Sequence, residues 1–166
     1  MSATAHWYPA YIGLGSNLQK PAQQIEEALG LVEEISGTRL FAVSSLYRSA
    51  PFGGIEQPDF VNAVASVLTR LSALELLAEL QNVENRQGRE RDETRWGPRV
   101  LDLDLLVYSG QTISEPELSI PHPGIGERNF VLLPLEEIAP DLEVPGLGRA
   151  ASIPVNRNEP SISRIA

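Results

Sequence analysis

Two segments of helical periodicity, each framed by strand-like segments, limit this chain to few folds. In the first, Ile25, Ala28, Leu29, Val32 and Ile35 recur at helical spacing. Pro21 suits that helix's first turn, where a missing N–H is harmless, and Gly37 is its expected end. The second opens on Ser72 and Glu75, a capping-box pair, and continues through Leu76, Leu77, Leu80, Val83 and Glu84 to a stop at Gly88. Residues 8–14, 38–48, 60–68 and 100–108 are rich in β-branched, aromatic and aliphatic types and read as strands. The order β-α-β-β-α-β predicts a ferredoxin-like α+β sandwich with an antiparallel sheet. Additional C-terminal elements follow. After Gly110 the chain is punctuated by Pro116, Pro121 and Pro123, and a short helix is expected over Asn129–Ile138 despite Pro134. We expect one domain over residues 1–166, with its core at about 8–145 and a loosely ordered tail at about 146–166.

Charge is unevenly placed. The net charge of −9 argues against a nucleic-acid partner. Lysine occurs once, at Lys20, whereas Arg86, Arg89, Arg91, Arg95 and Arg99 crowd one short segment. The planar guanidinium fork suits bidentate phosphate contacts, so a local anion site is one reading. A solvated loop paired with Glu90, Asp92 and Glu93 is the other. With no cysteine, thiolate chemistry and zinc–thiolate sites are excluded. No stretch approaches the ~18 apolar residues of a membrane span, and the N-terminus lacks the pattern of a signal peptide. A soluble, cytoplasmic chain is expected.

The strand at 100–108 holds Asp102 and Asp104 within a run of Leu and Val. Residues i and i+2 of a strand face the same side, so the two carboxylates point together while Leu101, Leu103 and Leu105 point away. Two such acids repel unless a positive group offsets them. A hard divalent cation is the simplest candidate, since Mg²⁺ commonly takes one or two carboxylates plus substrate phosphates. Other readings stay open on the motif alone: a solvent-facing strand edge with arginine partners, an aspartyl phosphatase, or a sugar-nucleotide transferase. The phosphatase fits poorly, because its pair ends the strand and here the apolar run continues through Leu105, Leu106 and Val107.

The segment GLGSN, residues 13–17, has G-x-G but not the third glycine of a dinucleotide fingerprint, and no Walker-type loop is present. Phosphate handling would therefore rest on arginine and metal. Phe60 and Asn62 share a strand face and offer a ring and an amide; an ordinary core Phe and edge Asn is the plainer reading. His122 lies between two prolines in IPHPG, and Trp96 lies among the arginines.

Taken together, these motifs resemble the 6-hydroxymethyl-7,8-dihydropterin pyrophosphokinases of folate biosynthesis. RWGPRVLDLDLL is similar to their signature, and YIGLGSN, YRSAPFG, QPDFVNA, IPHP, RNFVLLPL and EIAPDL follow the family's order over about residues 8–145. The resemblance implies a ferredoxin-like fold and transfer of the β,γ-pyrophosphate of ATP to the pterin hydroxymethyl group, with release of AMP. It implies that Asp102 and Asp104 hold two Mg²⁺ ions, and that Arg89 and Arg99 clamp phosphate in the catalytic step. It implies pterin stacked between Phe60 and Phe130, bonded by Asn62, with Ser49, Pro51, Phe52 and Trp96 along the pocket. ATP contacts map to Gln81, Glu84, Arg91, Arg95, Leu105, Ser119, His122 and Arg128. The expected partners are these two small molecules, with no nucleic acid, no membrane and a monomeric chain. Glu117 stands where some relatives carry a basic residue, Pro123 and Phe60 where some carry Tyr; the first two changes bear on ATP contacts.

Overall fold

The computed structural model describes residues 6–51, 56–87 and 101–165. The first strand, β1 (Tyr8–Ser16), leads into helix α1 (Pro21–Glu33). Pro21 takes the first helical position, entered through Gln19 and Lys20 in the left-handed region. The helix ends at Glu33, short of the expected stop at Gly37. Its last turn tightens instead, with Glu34 and Ile35 donating to the carbonyls three residues back, and Gly37 takes φ 70° in the turn beyond.

The single strand expected over residues 38–48 is two, β2 (Thr38–Val43) and β3 (Tyr47–Ser49). The serines between them explain the break. Ser44 Oγ accepts from the Val64 amide at 2.9 Å, and Glu137 accepts from the Ser45 amide at 3.0 and 3.1 Å. Side chains here replace backbone partners, the usual way serine interrupts a ladder. Strand β4 (Phe60–Thr69) follows, then helix α2 (Ala73–Arg86). The capping box at its start is present in both directions, at 2.8 and 3.1 Å. Gly88, its expected stop, lies outside the described residues.

Strand β5 (Asp102–Tyr108) completes the β-α-β-β-α-β order, counting β2 and β3 as one interrupted strand. The sheet runs β3-β4-β1-β5, with β2 also on β4, and every pairing is antiparallel. This is the ferredoxin-like arrangement expected. Later come the hairpin β6 (Ile113–Glu115) and β7 (Leu118–Ile120), a 3₁₀ turn at Pro123–Gly126 and helix α3 (Asn129–Ile138). A second hairpin, β8 (Glu143–Val144) and β9 (Gly148–Arg149), precedes β10 (Ile162–Arg164), which pairs with β3 at the sheet's edge.

The sheet is buried on both faces. On one, Ile12 and Leu14 of β1, Val61 and Ala63 of β4, and Leu103 of β5 pack under α1 and α2. On the other, Val64, Leu106 and Val107 pack under Val131, Leu132 and Leu135 of α3. A bulge reconciles β5 with both layers. Ile12 pairs with Leu105 and Tyr11 with Val107, so Leu106 is the extra residue. The bulge sends Leu106 and Val107 both to the α3 side, which is why the apolar run beyond the aspartates does not alternate.

Candidate active site

The α3 face of the sheet carries the polar row that the sequence foreshadows. Asp102 pairs with Gly15, Gly15 with Asn62, and Asn62 with Tyr47, in one line across four strands. Asp104 lies one pair inward, opposite Gly13. Leu101, Leu103 and Leu105 belong to the opposite, helix-covered layer. The two aspartates therefore share a face, as alternation predicts, and that face is lined beside them by glycine. Gly15 leaves room that a Cβ would take: it would stand 3.2 Å from Asn62 Oδ1.

At the β3 end of this row, Asn62 Nδ2 donates to Ser49 Oγ at 2.8 Å, and both residues are buried. Phe60 pairs directly with Ser49. Helix α3 packs over β4 on this face and brings Phe130 with it, partly buried against the α3 layer. Pro51 follows β3 and is half-buried. Asn17, at the end of β1, is 3% exposed and donates to Gln57 Oε1 and to the Pro58 carbonyl, both at 2.9 Å. It fastens the segment entering β4 to the end of β1, a role that sequence reasoning assigned to no residue.

At the other end a cleft of about 300 Å³ opens along β5, between α2 and the β6–β7 hairpin. Asp104, Leu105, Ser119 and His122 line it together. Leu77, Leu103, Leu118 and Pro116 complete the apolar wall, and Glu117 and Pro123 stand at it too. Leu77, read in the sequence only as part of the helical repeat, was not assigned to the site, although it lies one helical turn before Gln81, the spacing that could have found it. Gln81 is exposed and does not line the cleft. Glu84 is 4% exposed, and its Oε2 accepts from the Leu103 amide at 2.7 Å. It thus holds the edge of β5 at the residue between the two aspartates.

His122 is set by its own loop. Its amide donates to the Leu106 carbonyl at 2.9 Å, and its Nδ1 accepts from the Gly124 amide at 2.9 Å. An accepting Nδ1 leaves the proton on Nε2, which stands 4.0 Å from Asp104 Oδ1. Gly124 leaves this contact room, because a Cβ would stand 3.0 Å from His122 Nδ1 and 3.2 Å from Arg128 Cδ, so a larger residue would make the ring or Arg128 give by a few tenths of an ångström. Burial pushes the His122 pKa below its ordinary 6.5; Asp104 opposes this, Arg128 reinforces it and Glu127 opposes it. The ring is neutral at pH 7 and presents an N–H donor.

Among the described residues no three His, Asp or Glu side chains converge as a closed cation site. Two carboxylates on one face beside an open cleft are the partial, all-oxygen set that Mg²⁺ completes with phosphate and water, so the residues present fit that ion. Phe52, Arg89, Arg91, Arg95, Trp96 and Arg99 lie outside the described residues.

The family model for 7,8-dihydro-6-hydroxymethylpterin-pyrophosphokinase (HPPK) matches residues 11–140. A 2-amino-4-hydroxy-6-hydroxymethyldihydropteridine pyrophosphokinase of Haemophilus influenzae is 52% identical over 136 residues, 82% of this chain and 84% of that protein. The protein of that name from Pseudomonas aeruginosa is 51% identical, over 81% of this chain and 83% of its own. A crystal structure of a Plasmodium falciparum HPPK-DHPS triple mutant superposes with a TM-score of 0.74 at 18% identity and supports the fold. That match takes in 92% of this chain and 44% of the solved one. The chain belongs to the 7,8-dihydro-6-hydroxymethylpterin-pyrophosphokinase family.

Proposed function

We propose that this chain transfers the β,γ-pyrophosphate of ATP to the hydroxymethyl group of 6-hydroxymethyl-7,8-dihydropterin, releasing AMP. The observation that carries the reading is the position of Asp102 and Asp104. They lie between an apolar cleft on one side and the Gly15–Asn62–Ser49 row on the other. The cleft receives the nucleotide, with Leu77, Leu103 and Leu105 against the base and His122 toward the phosphates. The row receives the pterin, with Asn62 at its hydrogen-bonding edge and Phe60 and Phe130 on its faces.

Such a transfer depends on holding the hydroxyl and the β-phosphorus in line and on stabilising charge. Asp102 and Asp104 would hold two Mg²⁺ ions, which when bound neutralise phosphate charge. Arg89 and Arg99 supply the remaining positive charge, which a chain of net charge −9 must concentrate locally. His122 donates Nε2–H to a phosphate oxygen and does not act as a base, because its Nδ1 lone pair is taken by Gly124.

The test is an incubation with ATP, Mg²⁺ and the hydroxymethyl dihydropterin, with products separated by chromatography. AMP and the pterin diphosphate are expected in equal amounts. Formation of ADP or free phosphate in their place overturns pyrophosphoryl transfer.

A further inference from the structure

The segment after residue 140 lies beyond the family match, yet its last strand and the residues just before it are bonded to both walls of the pterin side. Strand β10 pairs Ile162 with Ser49 and Arg164 with Tyr47. Just before it, the Ser161 carbonyl accepts from the Ala50 amide at 2.9 Å. The Pro160 carbonyl accepts from Asn129 Nδ2 at 2.8 Å. Just after it, the Ile165 amide donates to the Leu46 carbonyl at 2.8 Å.

Ala50 and Asn129 are adjacent in sequence to the two residues that matter. Ser49 holds the Asn62 amide, and Phe130 is a stacking ring in the reading above. One carbonyl holds the β3 side and the next holds the start of α3. Asn129 is 1% exposed, and its amide orientation is fixed, because the reverse would set an oxygen against the Pro160 carbonyl. A strap reaching from one wall to the other limits how far apart the walls can stand.

We propose that the C-terminal strand is a tether that sets the width of the pterin pocket, with Asn129 as its positioning residue. The proposal rests on the pterin reading of this site. Its hydrogen-bond and strand partners among the described residues, Leu46, Tyr47, Ser49, Ala50 and Asn129, do not line the nucleotide cleft, so its effect falls on the pterin side. A structural support would act on both.

The experiment compares the full chain, a chain ending at residue 157, and Asn129→Leu in the full chain. The point variant keeps the strand and removes the donor, and answers the question should the shortened chain fail to fold. Pterin affinity is measured by calorimetry with a non-hydrolysable ATP analogue present, and analogue affinity is measured alone. Pterin affinity should fall roughly tenfold, the scale of one or two lost hydrogen bonds, with analogue affinity unchanged. Unchanged pterin affinity in Asn129→Leu overturns the tether. So does equal weakening of both ligands together with a lower Tm, which marks a purely structural role. A full chain that binds no pterin at all overturns the functional reading and this proposal with it.

Discussion

At Asp104 two requirements meet in one carboxylate. It stands at the wall of the cleft along β5, 4.0 Å from His122 Nε2, and its side chain is 47% exposed. A half-exposed acid of this kind contributes little to stability, so its removal should be read in the chemistry. Asp104→Ala should lower kcat by about 10²-fold or more, the scale of losing one pre-set electrostatic group, with Tm nearly unchanged. Retained turnover at ordinary Mg²⁺ would sink the metal assignment. Gly15 presents the opposite case, a residue important for what it lacks. A Cβ there would press on Asn62 Oδ1, so Gly15→Ala should displace the amide by a few tenths of an ångström. Small misplacements at a positioning group are costly. Pterin KM should rise several-fold, on the order of the loss of one hydrogen bond, while ATP KM stays put. Equal rises in both would show that Gly15 serves the sheet and not the pocket. The aspartate pair was legible in the sequence because strand alternation is a local rule. Gly15 was not, because its role depends on which residue of β4 lies opposite.

Among the elements, β5 shows what sequence reading reaches and where it stops. Its apolar face and its paired acids follow from a period of two. The bulge at Leu106 does not, since it is fixed by pairing with β1 and by the two layers that must both be filled. The same limit explains the split between β2 and β3. Composition there favours strand throughout, and only the long-range partners of Ser44 and Ser45 show the interruption. Strand β10 carries no periodic signal at all; three residues suffice because β3 supplies the template. Helix α2 ties to β5 through Glu84, a buried carboxylate accepting from a backbone amide that would otherwise lose its partner. Glu84→Ala should therefore cost about 2 kcal/mol in urea unfolding, the scale of leaving one buried donor unsatisfied. It should also raise ATP KM, because the cleft wall at Leu103 and Leu105 is then held less firmly. A variant as stable as the parent would show that the Leu103 amide finds another acceptor.

Across the whole molecule, one partly buried network joins three pieces distant in sequence. Glu137 of α3 accepts from the Tyr47 hydroxyl at 2.6 Å and from Ser45 Oγ at 3.0 Å, and Arg164 of β10 stands 3.6 Å from it. Burial pushes the Glu137 carboxyl up, but the bonds from Tyr47 and Ser45 and the charge of Arg164 together hold it below its ordinary 4.5. The consequence for stability has a definite sign. Between the folded pKa and 4.5 the unfolded chain binds more protons than the folded one, so stability falls as pH falls through that window. Above 4.5 the contribution is complete, and below the folded pKa it is gone. Glu137→Gln keeps the shape and removes the titration. The variant should melt below the parent at pH 7, and the gap should narrow steadily as pH is lowered from about 4.5 toward 3. Thermal melts at matched ionic strength across pH 3–7 measure this directly. A gap that stays constant over that range would mean that the carboxylate's charge contributes nothing, and that Glu137 joins α3, β3 and β10 by its shape and neutral hydrogen bonds alone.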